Sequence, residues 1–248
     1  MNTNGMSSMT TSERVRVAND IPGNLKHLDC PVCKNKGIVF YEDADGVLQS
    51  KPCKCMPERK SRYRINKSGL SETLERYTLE AYKADTAETR AIKAAAMKYI
   101  TERKGWFFIS GKAGSGKTHI CTAICGALLR NGHELRYMLW RDVAPRLKAT
   151  VNDREAYEKL MDELKTVEVL YIDDFLKGSV NDADINLAFE LINSRYNNSK
   201  KLTLISTEKN IDQILSIDEA IGSRIYERSK GYCLKAPQVN RRLKDGGK

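Results

Sequence analysis

The 248-residue sequence has no apolar run long enough to cross a membrane. Its most apolar stretch of interest, ICTAICGALL at positions 120–129, is about half of the roughly 20 residues that a membrane-spanning helix needs. Positions 1–26 are polar and lack the apolar core of a secretory signal, so we expect a flexible leader on a cytoplasmic protein with no membrane partner. Internal repeats and low-complexity segments are also missing, so no repeat array is indicated.

Positive charge is abundant but unevenly placed. The formal net charge is +10 and the isoelectric point about 9.2, which favours a polyanionic partner such as nucleic acid. Positions 51–67 contain seven Lys or Arg residues and a single acid, Glu58. The basic residues that follow the last cysteine of this stretch could contact nucleic acid, a protein partner or only water; they include Arg59, Lys60, Arg62 and Arg64.

Four of the seven cysteines lie within 26 residues. Cys30 and Cys33 form a C-x-x-C pair, and Cys53 and Cys55 a C-x-C pair, which together offer the four soft ligands of a tetrahedral Zn²⁺ site. A thioredoxin-like thiol pair, four unliganded cysteines and replacement of one cysteine by His27 are the alternatives. The intervening GIVFYEDADGVLQSK reads as two short strands around an Asp-Gly turn. We therefore predict a zinc-binding module at 27–56 that folds because it binds metal.

The rest of the chain alternates apolar bursts with amphipathic segments, which predicts an α/β domain at 86–236 whose parallel sheet is flanked by helices on both faces. A basic helical linker at 57–85 would precede it, and a basic tail at 237–248 would follow it. Strands are expected at 106–110, 135–140, 167–173, 201–207 and within 231–236, and helices at 86–104, 118–130, 141–165 and 183–196.

GKAGSGKT at 111–118 follows a predicted buried strand and opens a predicted helix, as a phosphate-binding loop must. Lys117 would reach the β- and γ-phosphates of ATP, and Thr118 would bind Mg²⁺. A glycine-rich turn that matches by chance is the alternative. The residues that we assign to the nucleotide are Gly111, Ala113, Gly114, Ser115, Gly116, Lys117, Thr118, His119 and, through the metal, Asp173.

Two other strands end in polar residues. The apolar run in VEVLYIDDF ends in Asp173, expected to hold Mg²⁺, and Asp174, expected to orient or deprotonate the attacking water; a solvated acidic turn is the alternative. LTLISTEKN places Thr207 where it could help to position that water. In IGSRIYER, Arg224 and Arg228 lie four residues apart on one helical face. They are either surface residues or a finger that completes a neighbour's active site.

These motifs occur in an order that resembles a known family. Residues 70–235 resemble the DnaC/DnaI-type replicative helicase loaders, AAA+ ATPases that are similar to IstB-type transposition helpers. The resemblance implies Walker A at Gly111–Thr118, Walker B at Asp173 and Asp174, sensor 1 at Thr207 and an arginine finger at Arg224, with Arg228 as the fallback. It also implies self-association through the AAA+ domain and hydrolysis that is stimulated by assembly or DNA. We expect slow turnover because Asp174 has a shorter side chain than Glu, and no full helical lid because only a short strand and a basic tail follow the helix that carries Arg224.

Further implications of the resemblance concern DNA and a second sensor. Arg141, Arg146 and Lys148 would contribute to a single-stranded DNA channel, or only to a solvated helical face. Arg241 and Arg242 are the candidates for the second sensor arginine. The chain departs from the family pattern at Asp174, where many members have Glu, and at Glu208, where loaders often have Asn.

Three functions are compatible with these features. The first is an ATP-dependent loader of a hexameric replicative helicase, favoured because an N-terminal cysteine-rich module is known in DnaI-like loaders and is unusual in transposition helpers. The second is an IstB-like transposition helper that selects target DNA. The third is a zinc-dependent nucleic-acid-binding adaptor whose nucleotide pocket is only a switch.

Overall fold

A computed structural model of the chain describes residues 9–26, 28–67, 71–241 and 243. The described residues form two compact units, one within Met1–Tyr63 and the other within Arg64–Lys248. His27 and Arg242, which the sequence analysis considered as a metal ligand and a sensor, lie outside the described residues. The side chain of Arg64 lies outside them as well.

The N-terminal unit is built on a two-stranded antiparallel hairpin. Its elements are α1 (Thr11–Asp20), β1 (Ile38–Glu42), β2 (Leu48–Pro52) and the start of α2 (Met56–Lys67). Strands β1 and β2 pair with Phe40 opposite Ser50. The turn between them is closed by the Asp43 carboxylate, which accepts a hydrogen bond from the Val47 amide at 2.8 Å. The structure therefore has the two short strands that the sequence predicts.

Helix α1 lies in the segment expected to be a flexible leader. Thr10 and Glu13 form a capping box at its start, an arrangement that satisfies two amides of the first helical turn. Near the end of α1, the Asn19 amide group pairs with the backbone of Phe40, donating to its carbonyl and accepting from its N–H, both at 2.9 Å. These contacts order residues 11–20 against the hairpin. Residues 11–20 are therefore helical, whereas the sequence predicts a flexible leader.

The C-terminal unit contains the predicted parallel sheet, and the structure confirms the α/β class. The order of the five strands is β4-β5-β6-β3-β7, and every pairing is parallel. The elements are α3 (Ser71–Arg76), α4 (Ala87–Glu102), β3 (Trp106–Ser110), α5 (Lys117–Arg130), β4 (Leu135–Leu139), α6 (Trp140–Ala149), α7 (Arg154–Thr166), β5 (Val169–Asp173), α8 (Asp182–Tyr196), β6 (Leu202–Thr207), α9 (Ile211–Ile217), α10 (Glu219–Arg228) and β7 (Cys233–Lys235).

Helices cover both faces of this sheet. Along β3, Phe107 and Ile109 belong to one buried cluster, which includes residues of α4 and α5. Trp106 and Phe108 belong to the other, which includes residues of α6, α7, α8 and α10. Successive strand residues face opposite sides of a sheet, so a continuous apolar strand is the expected sequence of a sheet buried on both faces.

The registers of the strands bring the predicted site residues to one edge. Ser110 at the end of β3 pairs with Thr207 at the end of β6, and Leu139 at the end of β4 pairs with Asp173 at the end of β5. Ligands of open α/β sheets bind at this carboxyl edge. The phosphate loop and the two polar strand ends therefore meet there.

Two boundaries differ from the sequence expectation. The C-terminal unit begins at Arg64 rather than at 86, and Tyr82, in the predicted linker, is 5 % exposed within its core. The polar stretch 141–165 forms two helices that separate after Ala149, and Pro145 lies inside the first of them. No helix in the described part of the chain is both long and apolar enough to span a membrane.

Candidate nucleotide and metal sites

The phosphate loop runs from β3 to α5. Gly114 and Gly116 have φ values of 75° and 93°, which side chains rarely adopt. A Cβ at Gly114 would lie 2.0 Å from Oδ1 of Asn240, so a side chain here would also require the Asn240 side chain to move. Helix α5 begins at Lys117 without a side-chain cap. The amides of its first turn are therefore available to an anion.

Lys117 is buried beneath the loop, with 5 % of its surface exposed. Its ammonium donates to the carbonyls of Gly111 and Lys112 at 2.8 and 2.9 Å. Burial lowers the pKa of Lys117, an effect opposed by the nearby carboxylates of Asp174, Glu208 and Asp173. The loop thus holds a cation whose partners are neutral carbonyl groups.

Thr118 and Asp173 lie together although 55 residues separate them. The Thr118 hydroxyl is 3.4 and 3.3 Å from the two carboxylate oxygens of Asp173. Ser206 donates to the same carboxylate, as does Tyr137 at 3.3 Å. Burial, together with the Asp173 charge, raises the pKa of Tyr137, which therefore remains a donor. Hydroxyl and carboxylate oxygens are the ligands that Mg²⁺ prefers, so these residues fit the predicted metal.

Asp174 follows directly after β5 and has a left-handed backbone with φ 54°. Its amide donates to the Asp173 carboxylate at 3.1 Å, and its own carboxylate accepts from Lys177 at 3.1 Å. The two acids therefore have different partners, as expected for adjacent residues at a strand end.

Thr207 lies at the neighbouring strand end and is fully buried. Its hydroxyl donates to the Phe175 carbonyl at 2.7 Å and accepts from the Lys209 amide at 3.1 Å. A hydroxyl has one proton, and that of Thr207 is used within the protein. Ser206, which the sequence analysis did not assign, instead contacts Asp173.

A cleft of about 290 Å³ adjoins the loop, lined by Gly114, Gly116, Lys117, Thr118 and His119 of the loop and α5, by Tyr77, Ala81, Tyr82 and Lys83, and by Arg241. The imidazole of His119 stacks on Tyr77, with ring centroids 4.6 Å apart. Its Nε2 lies 3.0 Å from the Thr78 carbonyl, so that nitrogen bears the proton. Burial lowers the pKa of His119, which is therefore neutral at pH 7.

Sequence reasoning missed Tyr77 and Tyr82, because both lie in the segment predicted to be a linker. The sequence feature that could have drawn attention to them is the occurrence of two tyrosines close together in a chain with only 7 % aromatic residues. Arg241 was considered only as a second sensor. It lines this cleft, and its guanidinium reaches the Lys83 carbonyl at 3.0 Å and the Asp85 carboxylate at 2.5 Å. The described part of the predicted tail thus lies against the loop.

Arg224 and Arg228 lie on α10 and contact residues other than the phosphate loop. The Arg224 guanidinium lies over the rings of Phe189 and Tyr196, 5.4 and 5.5 Å from their centroids. Arg228 donates to the Ser199 carbonyl at 3.1 Å and lies over Trp106. The structure therefore does not join either arginine to the nucleotide residues of its own chain.

The three candidates for a DNA channel have different environments on α6. Arg141 and Arg146 are exposed, whereas Lys148 forms an ion pair with Asp184 at 2.7 Å. Arg141 and Lys148 line a second cleft of about 270 Å³, together with Lys177. The charge of Lys148 is thus partly neutralised within the protein.

The four clustered cysteines lie side by side in the N-terminal unit. Their Sγ atoms are all within 4.8 Å of one another, and the thiols are buried. Cys30 and Cys53 are 3.8 Å apart, and Cys33 and Cys55 are 3.7 Å apart. Four sulfurs at about 2.3 Å from a tetrahedral Zn²⁺ are about 3.8 Å from each other. The geometry therefore fits zinc.

Arg59 belongs to this cysteine cluster, which corrects its interpretation as part of an exposed basic run. It is 6 % exposed. Its Nε lies 3.4 Å from the Cys55 sulfur, and its terminal nitrogens donate to the carbonyls of Leu25 and Lys26 and to Asn35. On the same helix, Lys60 is exposed and Arg62 pairs with Glu58 at 2.9 Å.

Comparison with known protein families gives one match over most of the chain. Residues 40–238 match the family described as IstB-like ATP binding protein. Among curated proteins, an uncharacterized protein YqaM of Bacillus subtilis is 30 % identical, over 88 % of this chain and 86 % of its own length. The replicative helicase loader DnaC of Escherichia coli is 25 % identical, over 67 % of this chain and 68 % of its own length.

Solved structures agree with the fold. A structure described as the DnaC helicase loader is similar with a TM-score of 0.53 and 22 % identity, over 66 % of this chain and 98 % of that one. A structure of DnaI is similar with a TM-score of 0.53 and 20 % identity, over 68 % of this chain and 92 % of that one.

Proposed function

Because the chain belongs to the family of IstB-like ATP-binding proteins, which are AAA+ ATPases, we propose that it uses ATP to load a hexameric replicative helicase onto single-stranded DNA. The observation on which this rests most is the contact between Thr118 and Asp173, which joins the phosphate loop to the acidic strand end. The similarity to a replicative helicase loader supports the choice of partner.

Hydrolysis at this site would use four side chains. A water oxygen attacks the γ-phosphorus, the bond from that phosphorus to the bridging oxygen breaks, and ADP leaves. Lys117 binds the β- and γ-phosphates, and Asp174 orients the water and accepts its proton. Thr118 and Asp173 would hold Mg²⁺, which would neutralise charge on the phosphate oxygens.

Assembly of several copies would complete the site. Arg224 of one chain is proposed to act on the nucleotide of its neighbour, with Arg228 as the fallback. Thr207 is proposed to act as sensor 1 by accepting a hydrogen bond, since its own proton is donated to the Phe175 carbonyl. The stacking of Arg224 on Phe189 and Tyr196 limits the conformations of its guanidinium, which supports a positioned arginine. Turnover would then be slow in isolated chains and stimulated by assembly. Hydrolysis would release the loader.

The N-terminal unit is proposed to bind zinc and to dock on the helicase, and the exposed Arg141 and Arg146 to contact single-stranded DNA. Zinc would hold the four thiolates of Cys30, Cys33, Cys53 and Cys55 together. Arg59 would stabilise the thiolate of Cys55, which it contacts directly.

Replacing Arg59 by Gln should weaken zinc binding roughly 10- to 100-fold, the usual cost of losing a partner of a metal ligand. Competition with a chromophoric chelator measures this affinity. Lys60→Gln is the matched control, because it removes the same charge from an exposed neighbour on the same helix. Equal affinities of the two variants would contradict the role of Arg59.

Affinity capture tests the proposed partner. An Asp174→Asn protein, held with ATP bound, should retain a hexameric replicative helicase from a bacterial lysate, identified by mass spectrometry. A Lys117→Met bait, which should bind ATP poorly, is the matched control and should lose the helicase. Absence of the helicase from the Asp174→Asn fraction would refute the proposal.

The family description favours a second candidate, an IstB-like transposition helper. Such a protein should form ATP-dependent filaments on duplex DNA and should retain a transposase in the same capture experiment. A transposase in place of the helicase would reverse the assignment.

A further inference from the structure

Lys177 bridges two carboxylates that flank the proposed hydrolysis site. Its ammonium lies 3.1 Å from Oδ2 of Asp174 and 2.9 Å from Oε1 of Glu208. Asp174 is the first residue after β5, and Glu208 is the first residue after β6. Since β5 and β6 are neighbours in the sheet, the lysine connects the ends of two adjacent strands.

The loop that carries Lys177 is held firmly in place. Phe175 and Leu176 are fully buried, and the Phe175 backbone accepts from Thr207 and donates to the Ser206 carbonyl at 2.9 Å. The Lys177 amide also bonds to the carbonyl of Asp174 at 3.1 Å. The position of the ammonium beside Asp174 therefore follows from the packing of the loop.

Lys177 and Glu208 each favour the charged form of the other. Burial lowers the pKa of Lys177, but hydrogen bonds to Glu208 and Asp174 outweigh it and raise the pKa overall. The hydrogen bond from Lys177 is the main cause that lowers the pKa of Glu208. The three side chains are only 25–37 % exposed, so solvent screens the pairs incompletely.

We propose that Lys177 restrains Asp174 and so limits ATP turnover until a phosphodiester group of DNA draws the lysine away. This inference rests on the proposed function, in which Asp174 orients the attacking water. A carboxylate that already accepts a hydrogen bond from an ammonium has fewer lone pairs left to accept one from water. Within the described residues, Lys177 is the side chain that bonds to this carboxylate.

The second cleft supplies a place for such a phosphodiester. Its walls include three cations, Arg141, Lys148 and Lys177, and one carboxylate, Asp184. Lys148 is paired with Asp184 at 2.7 Å, whereas Lys177 pairs with Asp174 and Glu208, which do not line the cleft, and Arg141 is exposed. A phosphate bound between Arg141 and Lys177 would compete with Asp174 and Glu208 for the Lys177 ammonium. DNA binding and turnover would thus be coupled through one side chain.

Steady-state ATPase kinetics with and without oligodeoxythymidylate test this coupling. Lys177→Met should raise basal kcat roughly two- to fivefold, the size expected for release of one partly exposed ion pair. The KM for ATP should stay within about twofold, since the nucleotide-binding residues are untouched. The oligonucleotide should no longer stimulate this variant, whereas Lys177→Arg should keep the basal rate and the stimulation of the wild type.

Two neighbouring variants make the test specific. Glu208→Gln leaves the ammonium to Asp174 alone, so its basal kcat should fall below that of the wild type. Lys209→Met removes a cation from the same strand end, and Lys209 forms no ion pair within the described ranges; its kinetics should match the wild type. An unchanged or lower basal kcat in Lys177→Met, or undiminished stimulation by the oligonucleotide, would overturn the proposal.

An Asp174→Asn protein separates this inference from the proposed function. If Asp174→Asn loses turnover and Lys177→Met behaves as wild type, only the restraint by Lys177 is refuted. If Asp174→Asn hydrolyses ATP as fast as the wild type, the role of Asp174 fails, and the restraint fails with it.

Discussion

Replacing Lys117 by Met should weaken ATP binding roughly 10- to 100-fold, the range expected for losing a hydrogen bond between charged groups. Turnover should fall roughly 10²- to 10³-fold, as when one preorganised donor is removed from developing charge. The ammonium of Lys117 lies at the centre of the loop, where it donates to the carbonyls of Gly111 and Lys112. Titration with a fluorescent ATP analogue and a phosphate-release assay measure the two effects.

The expected loss follows from the burial of this cation. Burial lowers the pKa of Lys117, so keeping its ammonium charged costs free energy in the folded protein. Phosphate oxygens, which are negatively charged, would offset this cost better than neutral carbonyls do. Methionine has nearly the same shape without the charge. The fold should therefore persist, as circular dichroism can verify.

Lys112→Met is the matched control for this experiment. Lys112 lies in the same loop, but its side chain is exposed, and the bond to Lys117 involves its backbone carbonyl. Its loss should change ATP binding by less than about threefold, the effect of one screened surface charge. If Lys112→Met and Lys117→Met bound ATP equally well, the assignment of the phosphate loop would be refuted.

The strands, most helices and the phosphate loop were predictable because their signals are local. An apolar run such as WFFIS is long enough for a buried strand and too short for a helix, and the structure has that strand at Trp106–Ser110. The glycines of the loop motif allow the positive φ values that the loop backbone needs, so the motif predicts the loop conformation. Asp173 was predictable for a similar reason, since it ends an apolar strand.

The contacts that give residues of the same type different environments were not predictable, because they depend on packing between segments that are distant in the sequence. Arg59 and Lys60 are adjacent basic residues, yet only Arg59 reaches a cysteine. Lys177 is an ordinary loop lysine until the pairing of β5 with β6 brings Glu208 beside Asp174. Tyr82 looked like a linker residue and is buried in the core. Side-chain identity alone does not distinguish these environments.

Removing zinc should unfold the N-terminal unit and leave the C-terminal unit folded. The cysteine cluster is the main buried apolar group of the N-terminal unit's described residues, and the strands of its hairpin are largely exposed. Metal binding contributes about 10–16 kcal/mol in small zinc modules at neutral pH, more than the stability of a typical domain. A strong chelator, or Cys53→Ser, should therefore abolish amide protection in the hairpin, as hydrogen exchange with mass spectrometry can measure.

The two units make this prediction specific, because they form separate compact bodies. Protection of β3, β5 and β6 and binding of an ATP analogue should survive zinc removal, since their contacts lie within the C-terminal unit. Cys233→Ser is the matched control: its thiol lies outside the cluster, so zinc content should stay at one ion per chain. A hairpin that kept its protection in the chelator would show that the four cysteines fold the unit without metal, and the zinc assignment would fall.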